Sequence, residues 1–418
     1  MLSIPATYYK NNEDYITLPA IKSFMRAHSD GKFKLSMPRE DLMNSIITYA
    51  NQSDDHAEVV LNWIDEVLQE GIKDIYLQYA PLPEKLQLLF TTENGITNYL
   101  QVYTDRKCSK HICLNNYNED YRLINTSYVA SDMGRKLVFI YCKKLHMHDK
   151  KKQHTKVIDY PVVAEYLIDS HWLLVRAKPR SNLYVFNPEG FLLEDAESTT
   201  TEKQIREVVD LVSSILEIEK FNKSYASELL KNNIFNLLHK YSNTPAEIAK
   251  IMDEKAEKIA SVSESIQALC TVPEHCVIPG NMTSDIDEDI TNIIEKYLSI
   301  NWNDKYIFIR DREAYPVKLS ATDEEESKVE QTAAMEEPLQ TKALFFDNKK
   351  MLYKSKRCDG VVFQWKRKDP TPFTKDSFTV RIFVNQRGHC IFKFSEYTAK
   401  EDIENVIFSI IGTEKNTK

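Results

Sequence analysis

The chain has 418 residues, 42% of them hydrophobic, which is enough for two to three ordinary domains with real cores. Its longest apolar runs fall far short of the roughly 20 residues that a membrane helix requires, and its first residues lack the order of a secretory signal. The net charge of -8 excludes an electrostatic match between the whole molecule and nucleic acid, and the seven scattered cysteines favour free thiols, so we expect a cytoplasmic protein without membrane contact.

The nine glycines exclude the common nucleotide-binding and hydrolase signatures. A P-loop, a dinucleotide fingerprint and a nucleophile elbow each need glycines a few residues apart, because only glycine lets backbone amides approach a phosphate or turn sharply enough. No two glycines here are that close. We therefore expect no cofactor of these kinds.

Residues 1–80 form a predicted helical N-terminal domain that ends in a strand over 72–79. Apolar residues recur at helical spacing over 42–47 and 59–68, and Gly71 suits the end of the second of these helices. That helix carries six acids and no Lys or Arg, the wrong charge for a DNA groove. A packing or protein-contact role is expected for it.

Residues 81–195 form a predicted β-rich basic domain, with strand-like runs at 86–90, 99–103, 137–142, 172–177 and 183–186. Residues 196–302 form a predicted helical hairpin or bundle. Two start signals introduce its helices, a capping box from Thr201 and a Thr-Pro-Ala-Glu sequence from Thr244. The second signal predicts one long helix that continues to Leu269.

Residues 303–418 form a predicted β-rich C-terminal domain with a disordered acidic insert at 320–341. Strands are expected at 378–384 and 390–394, followed by a helix from the capping box at Thr398. Helical and β-rich segments thus alternate along the chain, and the predicted class is a multi-domain α+β protein.

The charge is distributed unevenly along the chain. Residues 103–156 hold twelve Lys or Arg and five acids, and residues 340–400 hold fourteen and five. Both stretches interleave cations with aromatic residues, a composition typical of surfaces that follow phosphates and stack bases. In the alternative reading, each basic stretch pairs with an acidic helical segment inside the fold. Candidate nucleic-acid contacts are Lys150, Lys151, Lys152, Lys354, Lys356, Arg357, Lys366 and Lys368.

One pattern resembles the PD-(D/E)xK nucleases, in which an acid on one strand and E-x-K or Q-x-K on the next hold Mg²⁺ and the attacking water. Asp347 or Asp359 followed by Gln364 and Lys366 fits it. Alternation along 361–368 puts Gln364 and Lys366 on the face opposite Phe363. Any half-exposed strand would show the same alternation, so this nuclease is kept as an alternative.

Metal sites are not expected. His146 and His148 lie two apart beside several lysines, which would repel a cation, so the segment 143–154 is predicted to be a solvated basic loop. Cys108, His111, Cys113 and Cys142 lack the C-x-x-C turn of a zinc site, and buried thiols are expected.

We therefore expect a non-catalytic protein that contacts nucleic acid through the two basic stretches, while its acidic helices contact protein partners in an assembly. The Lys, Asn and Ile bias is typical of an AT-rich genome and suggests a bacterium or its mobile elements. The alternatives are the Mg²⁺-dependent nuclease and a protein-binding scaffold without nucleic acid.

Overall fold

The structure is a computed structural model, and it describes the chain except at 1, 11–13, 29–36, 104–108, 132–133, 151–152, 219–222, 271–279, 323–327, 334–336, 373 and 413–418. The helices are α1 Leu18–His28, α2 Arg39–Ala50, α3 Asp54–Val67, α4 Glu84–Leu89, α5 Glu93–Gln101, α6 Thr201–Ile215, α7 Lys223–Tyr241, α8 Ala246–Glu254, α9 Ala256–Cys270, α10 Gly280–Asn301, α11 Ala343–Ser355 and α12 Lys400–Ile411.

The strands are β1 Lys73–Tyr79, β2 Arg122–Ser131, β3 Gly134–Asp149, β4 His154–Leu167, β5 Trp172–Ala177, β6 Leu183–Val185, β7 Ser198–Thr199, β8 Ala314–Thr322, β9 Lys328–Thr332, β10 Gly360–Lys366, β11 Ser377–Val384 and β12 Cys390–Phe394. Helices and antiparallel strands occur together, which confirms the predicted α+β class.

Residue contacts divide the chain into two compact units. Unit 1 comprises Met1–Ser227, Lys368–Phe378 and Asn385–Phe408, and unit 2 comprises Glu228–Arg367, Thr379–Val384 and Ser409–Lys418. Each unit draws on several of the four segments expected from the sequence, and that four-part division stays a prediction. Among the described residues, no helix is long and apolar enough to cross a membrane.

Unit 1 is built on an antiparallel sheet in the order β7-β6-β3-β4-β5-β1-β12, with β2 also pairing with β3. Even-numbered β3 residues such as Val138 and Ile140 face one side, where they join the core of α1, α2 and α3. α3 buries Val60 and Ile64 in that core, which fits the packing role expected for this acidic helix.

α6 packs on β4 and β5 with its apolar face, which buries Ile205, Val208 and Val212. The residue that caps it is Thr200, whose hydroxyl accepts a hydrogen bond from the Lys203 amide at 3.1 Å. The predicted capping box therefore lies one residue too late. The hydroxyl of Thr201 instead accepts a hydrogen bond from that of Tyr160.

Unit 2 contains the strand order β11-β10-β8-β9, to which it contributes most of β11. One face of β10 is buried, where the rings of Phe363 and Trp365 lie 5.8 and 5.4 Å from that of Tyr241 on α7. α10 packs beside α11 and α9.

Several predicted elements are wrong. The runs 86–90 and 99–103 belong to α4 and α5 instead of strands, because buried Leu86 and Phe90, and Ile96 and Leu100, recur every four residues. The expected long helix from 246 is broken at Lys255 into α8 and α9. The segment 143–154 is not a solvated loop, since β3 extends through it to Asp149.

The predicted disorder of the acidic insert 320–341 is wrong for its central described part. Lys328–Thr332 pairs with β8 as β9 and buries Gln331, and Leu339 is fully buried. The insert as a whole is rich in acids, and its composition therefore conceals a short strand in which buried and exposed residues alternate.

Candidate nucleic-acid interface

The first group of predicted nucleic-acid contacts lies in unit 1. Lys150 is exposed in the turn after β3, and Lys151 and Lys152 lie outside the described residues. The Lys368 side chain is also exposed, while its main-chain amide donates to Asp402 Oδ1 at 2.9 Å. The structure leaves Lys150 and Lys368 accessible.

The second group lies in unit 2. Lys354 is exposed on α11, and Lys356 follows that helix in the left-handed region with φ of 51°. Arg357 forms an ion pair with Glu228 at 2.7 Å. Lys366 Nζ donates to two main-chain oxygens, those of Ile309 and Arg310, each at 2.9 Å. Lys366 is thus engaged inside the fold, contrary to the expected free phosphate contact.

Two cations of the basic stretch 340–400 are neutralised by the acidic helix α10. On α11, Lys350 pairs with Asp289 of α10 at 2.9 Å, and Lys349 pairs with the buried Glu295. Lys296 of α10 pairs in turn with Asp347 of α11. For these residues the geometry agrees with the alternative reading, in which basic and acidic segments pair within the fold.

The nuclease candidates do not form a metal site. Asp347 pairs with Lys296, and Asp359 pairs with Lys231 at 2.9 Å and accepts a hydrogen bond from Thr322. Gln364 is buried and accepts a hydrogen bond from Thr379. Gln364 follows Asp359 by five positions of extended chain, a span of about 16 Å. In the described part of the chain, no three His, Cys, Asp or Glu residues group as metal ligands would.

The histidines and cysteines that suggest metal chemistry serve packing and hydrogen bonding. His146 and His148 are buried, and the ring of His146 lies 4.8 Å from that of Phe191. His111 contacts Asp65 through Nδ1 at 2.7 Å and Glu58 through Nε2 at 3.2 Å.

Cys113 and Cys142 are buried free thiols, as expected, and Cys108 lies outside the described residues. Burial raises the pKa of Cys113 to about 12, so it remains a thiol at neutral pH.

The most suitable surface for nucleic acid lies on the outward face of β8, β10 and β11 in unit 2. We call it the outer sheet face and define it by Tyr315, Lys318, Val362, Arg381 and Phe383. All five side chains are exposed or partly exposed, whereas their strand neighbours face the core. The pairing places Val362 opposite Lys318.

Cations and aromatic rings meet on this outer sheet face. The Arg381 guanidinium carbon lies 4.8 Å from the ring centroid of Phe383, within the range of a cation–π contact. Glu330 on the adjoining β9 has a lowered pKa, first because Lys328 donates a hydrogen bond to it and further because Lys328, Lys318 and Arg381 act on its charge. Lys318 and Arg381 therefore act on the same region of the sheet.

A β-bulge explains why strand alternation in the sequence does not reveal this surface. The register between β8 and β10 shifts at Val362 and Phe363, so Tyr315 and Lys318 share a face although they are three residues apart. Strict period-two alternation would put them on opposite faces. The sequence did offer one signal of this surface: Arg381 and Phe383 lie two residues apart on β11, a spacing that places both on the same face.

No protein-family model, no curated protein and no solved structure shows significant similarity to this chain. The function must therefore be argued from the geometry of its own residues.

Proposed function

We propose that this protein is a non-catalytic nucleic-acid-binding component of a bacterial or mobile-element assembly, and that it contacts single-stranded nucleic acid through the outer sheet face. The observation that carries the proposal is the exposed Arg381 stacked on Phe383, on the same face as Lys318 and Tyr315. Free thiols among the described cysteines suit a reducing compartment, and the proposed location is the cytoplasm.

The chemistry of this face matches what a single strand presents. Unpaired bases stack on aromatic side chains, and every base offers a π face, so such contacts tolerate many sequences. Lys318 and Arg381 supply charge for the phosphates between the bases. A local basic face is sufficient for this mode, although the whole chain carries a net charge of -8.

The proposal predicts a salt dependence that two substitutions reduce. Each neutralised phosphate of a single strand contributes about 0.7 to the slope of log affinity against log salt. Replacing Lys318 and Arg381 with alanine should therefore flatten the slope by about 1.4. The measurement is fluorescence anisotropy of a labelled 12-nucleotide DNA or RNA across a salt series.

A matched control tests whether charge alone explains the result. Lys250 and Lys255 are exposed on or beside α8, also in unit 2, and their replacement by alanine removes the same charge. This control should bind like wild type. Phe383→Ala should weaken binding by about 1–3 kcal/mol, the contribution of one stacked base. Wild-type protein that shows no salt-dependent binding would refute the proposal.

The second candidate is a protein-binding scaffold, and exposed apolar residues on the helices favour it. Val262 and Leu269 on α9 are 49% and 82% exposed, and Ile293 and Tyr297 on α10 are 48% and 59% exposed. α9 and α10 pack beside each other, and apolar side chains exposed together on neighbouring helices are typical of contact surfaces. If this surface holds a partner, Val262→Asp with Leu269→Asp should reduce the native complex size in host extract, while nucleic-acid binding persists.

A further inference from the structure

Three cationic side chains are buried together in unit 1. Lys73 and Arg176 are each 2% exposed, and Lys178 is 6% exposed. Lysine and arginine are rarely buried to this extent unless each has a partner. The partners of these residues are therefore informative.

The register of β1 and β5 places these cations on one face of the sheet. Ile75 lies opposite Arg176, and Asp74 lies opposite Ala177. Because side chains two residues apart on a strand share a face, Lys73 and Lys178 point to the same side as Arg176. This is the side on which Val163 joins the core of the N-terminal helices.

The described residues leave two donors of Arg176 without a hydrogen-bond partner. Arg176 donates from Nη2 to the buried Glu165, but its Nε and Nη1 have no partner. Glu165 is also shared, since Lys136 pairs with it at 2.7 Å. Lys178 donates to the main-chain oxygen of Asp14.

The main chain of Lys73 pairs with Phe394 in the sheet, but its ammonium has no hydrogen bond or ion pair with any residue that the structure describes. The acid that acts on it electrostatically, Glu70, already accepts a hydrogen bond from Tyr397 at 2.6 Å. Burial lowers the pKa of Lys73 well below its ordinary value, and the charges of Lys178, Arg176 and Arg180 lower it further. The unpaired charge of Lys73 and the unused donors of Arg176 are both costly in a buried position.

Arg180 extends the group toward solvent. Its guanidinium carbon lies 5.2 Å from the ring centroid of Tyr15, and its Nε has no hydrogen-bond partner. The Lys178 ammonium lies 5.8 Å from the same ring. Tyr15 is held in turn by a hydrogen bond to the main-chain oxygen of Asp159 at 3.0 Å.

We propose that unit 1 binds a small oxyanion, of the phosphate or sulfate class, between Lys73, Arg176 and Arg180. The anion accepts hydrogen bonds from the unused donors of Arg176 and Arg180 and offsets the charge of Lys73. Arg176 and Arg180 are close enough to act on the charge of Lys73, and charge-assisted hydrogen bonds from several arginine and lysine donors are what such anions require. This site lies in unit 1 and is independent of the proposed nucleic-acid interface.

The test is a phosphate titration at constant ionic strength, with chloride as the replaced anion. At about 100 times its dissociation constant, phosphate should raise the midpoint of thermal unfolding by roughly 5–10 °C. Lys73→Met keeps the length of the side chain and removes its charge. It should weaken phosphate binding at least tenfold, and its midpoint in chloride should equal or exceed that of wild type.

Lys393→Met provides the matched control, because this lysine lies half-exposed on β12 beside β1. It should retain the full response to phosphate. Equilibrium dialysis of wild type should give about one phosphate per chain, displaced by sulfate, and this result does not depend on any variant folding. The proposal would be overturned if phosphate neither raised the wild-type midpoint nor bound in dialysis. A full phosphate response in Lys73→Met would overturn it as well.

Discussion

Glu165 is a buried acid of unit 1 that pairs with Arg176 and Lys136, so its removal should greatly lower the free energy of unfolding. The side chain is 3% exposed and accepts hydrogen bonds from Arg176 and Lys136. Replacing Glu165 with methionine leaves Arg176 without its hydrogen-bonded acid, with only the more distant charge of Glu404 acting on it. Removing one member of a buried ion pair typically costs about 3–5 kcal/mol, because the remaining charge stays desolvated. We expect a loss of this size in the free energy of unfolding.

Urea denaturation in phosphate-free buffer, followed by tryptophan fluorescence, to which the buried Trp172 contributes, measures this loss. The double variant Glu165→Met with Arg176→Met removes both charges and should recover stability to within about 1 kcal/mol of wild type. The slope of the free energy against urea should stay unchanged in both variants. A loss below about 1 kcal/mol for the single variant, or a double variant as unstable as the single one, would refute the reasoning.

Three further predictions concern a helix cap, a buried acid and the nuclease alternative. Thr200→Ala should cost about 1 kcal/mol in urea denaturation, because it removes the acceptor that caps α6; an unchanged midpoint would contradict this. Burial raises the pKa of Glu70, which disfavours its charged form, so Glu70→Gln should stabilise the protein increasingly as pH rises above about 4.3, with equal stabilities at lower pH. A constant difference from pH 4 to 8 would show another cause. Gln364→Ala should leave nucleic-acid binding intact, and a Mg²⁺-dependent cleavage activity lost in this variant would restore the nuclease alternative.

The elements best predicted from the sequence are those whose apolar pattern is complete within a few residues. The strands at 172–177 and 390–394 match β5 and β12 in full, since their side chains are largely buried and rich in β-formers. The final helix was predicted for the same reason, because Ile403, Val406, Ile407 and Ile410 recur along one face.

The wrong elements are those in which apolar spacing was ambiguous over a short run. Leu86 to Phe90 reads as apolar in almost every position, and the helix appears only through the buried pair four residues apart. The strand Lys328–Thr332 is not predicted from the sequence, because the residues around it are mostly acidic. That strand is identified by its pairing with β8, in which Thr322 lies opposite Lys328, and not by its own composition.

The candidate site was even less predictable, because charge counts do not show which charges are paired. Lys349 and Lys350 contribute to the basic stretch in the sequence, but their partners lie about 60 residues earlier, on α10. Lys366 binds main-chain oxygens, which no sequence pattern marks. The outer sheet face depends on a bulge, and a bulge changes which side chains are neighbours.

Photocrosslinking tests the central claim most directly, because it reports where the nucleic acid lies. Purified protein is irradiated with single-stranded RNA or DNA at low salt, digested, and the crosslinked peptides are identified by mass spectrometry. We predict crosslinks in the peptides that contain Tyr315 and Phe383, and their loss in Lys318→Ala with Arg381→Ala. Crosslinks confined to other segments, such as Lys354 to Arg357, or none at all, would contradict the outer sheet face as the nucleic-acid interface.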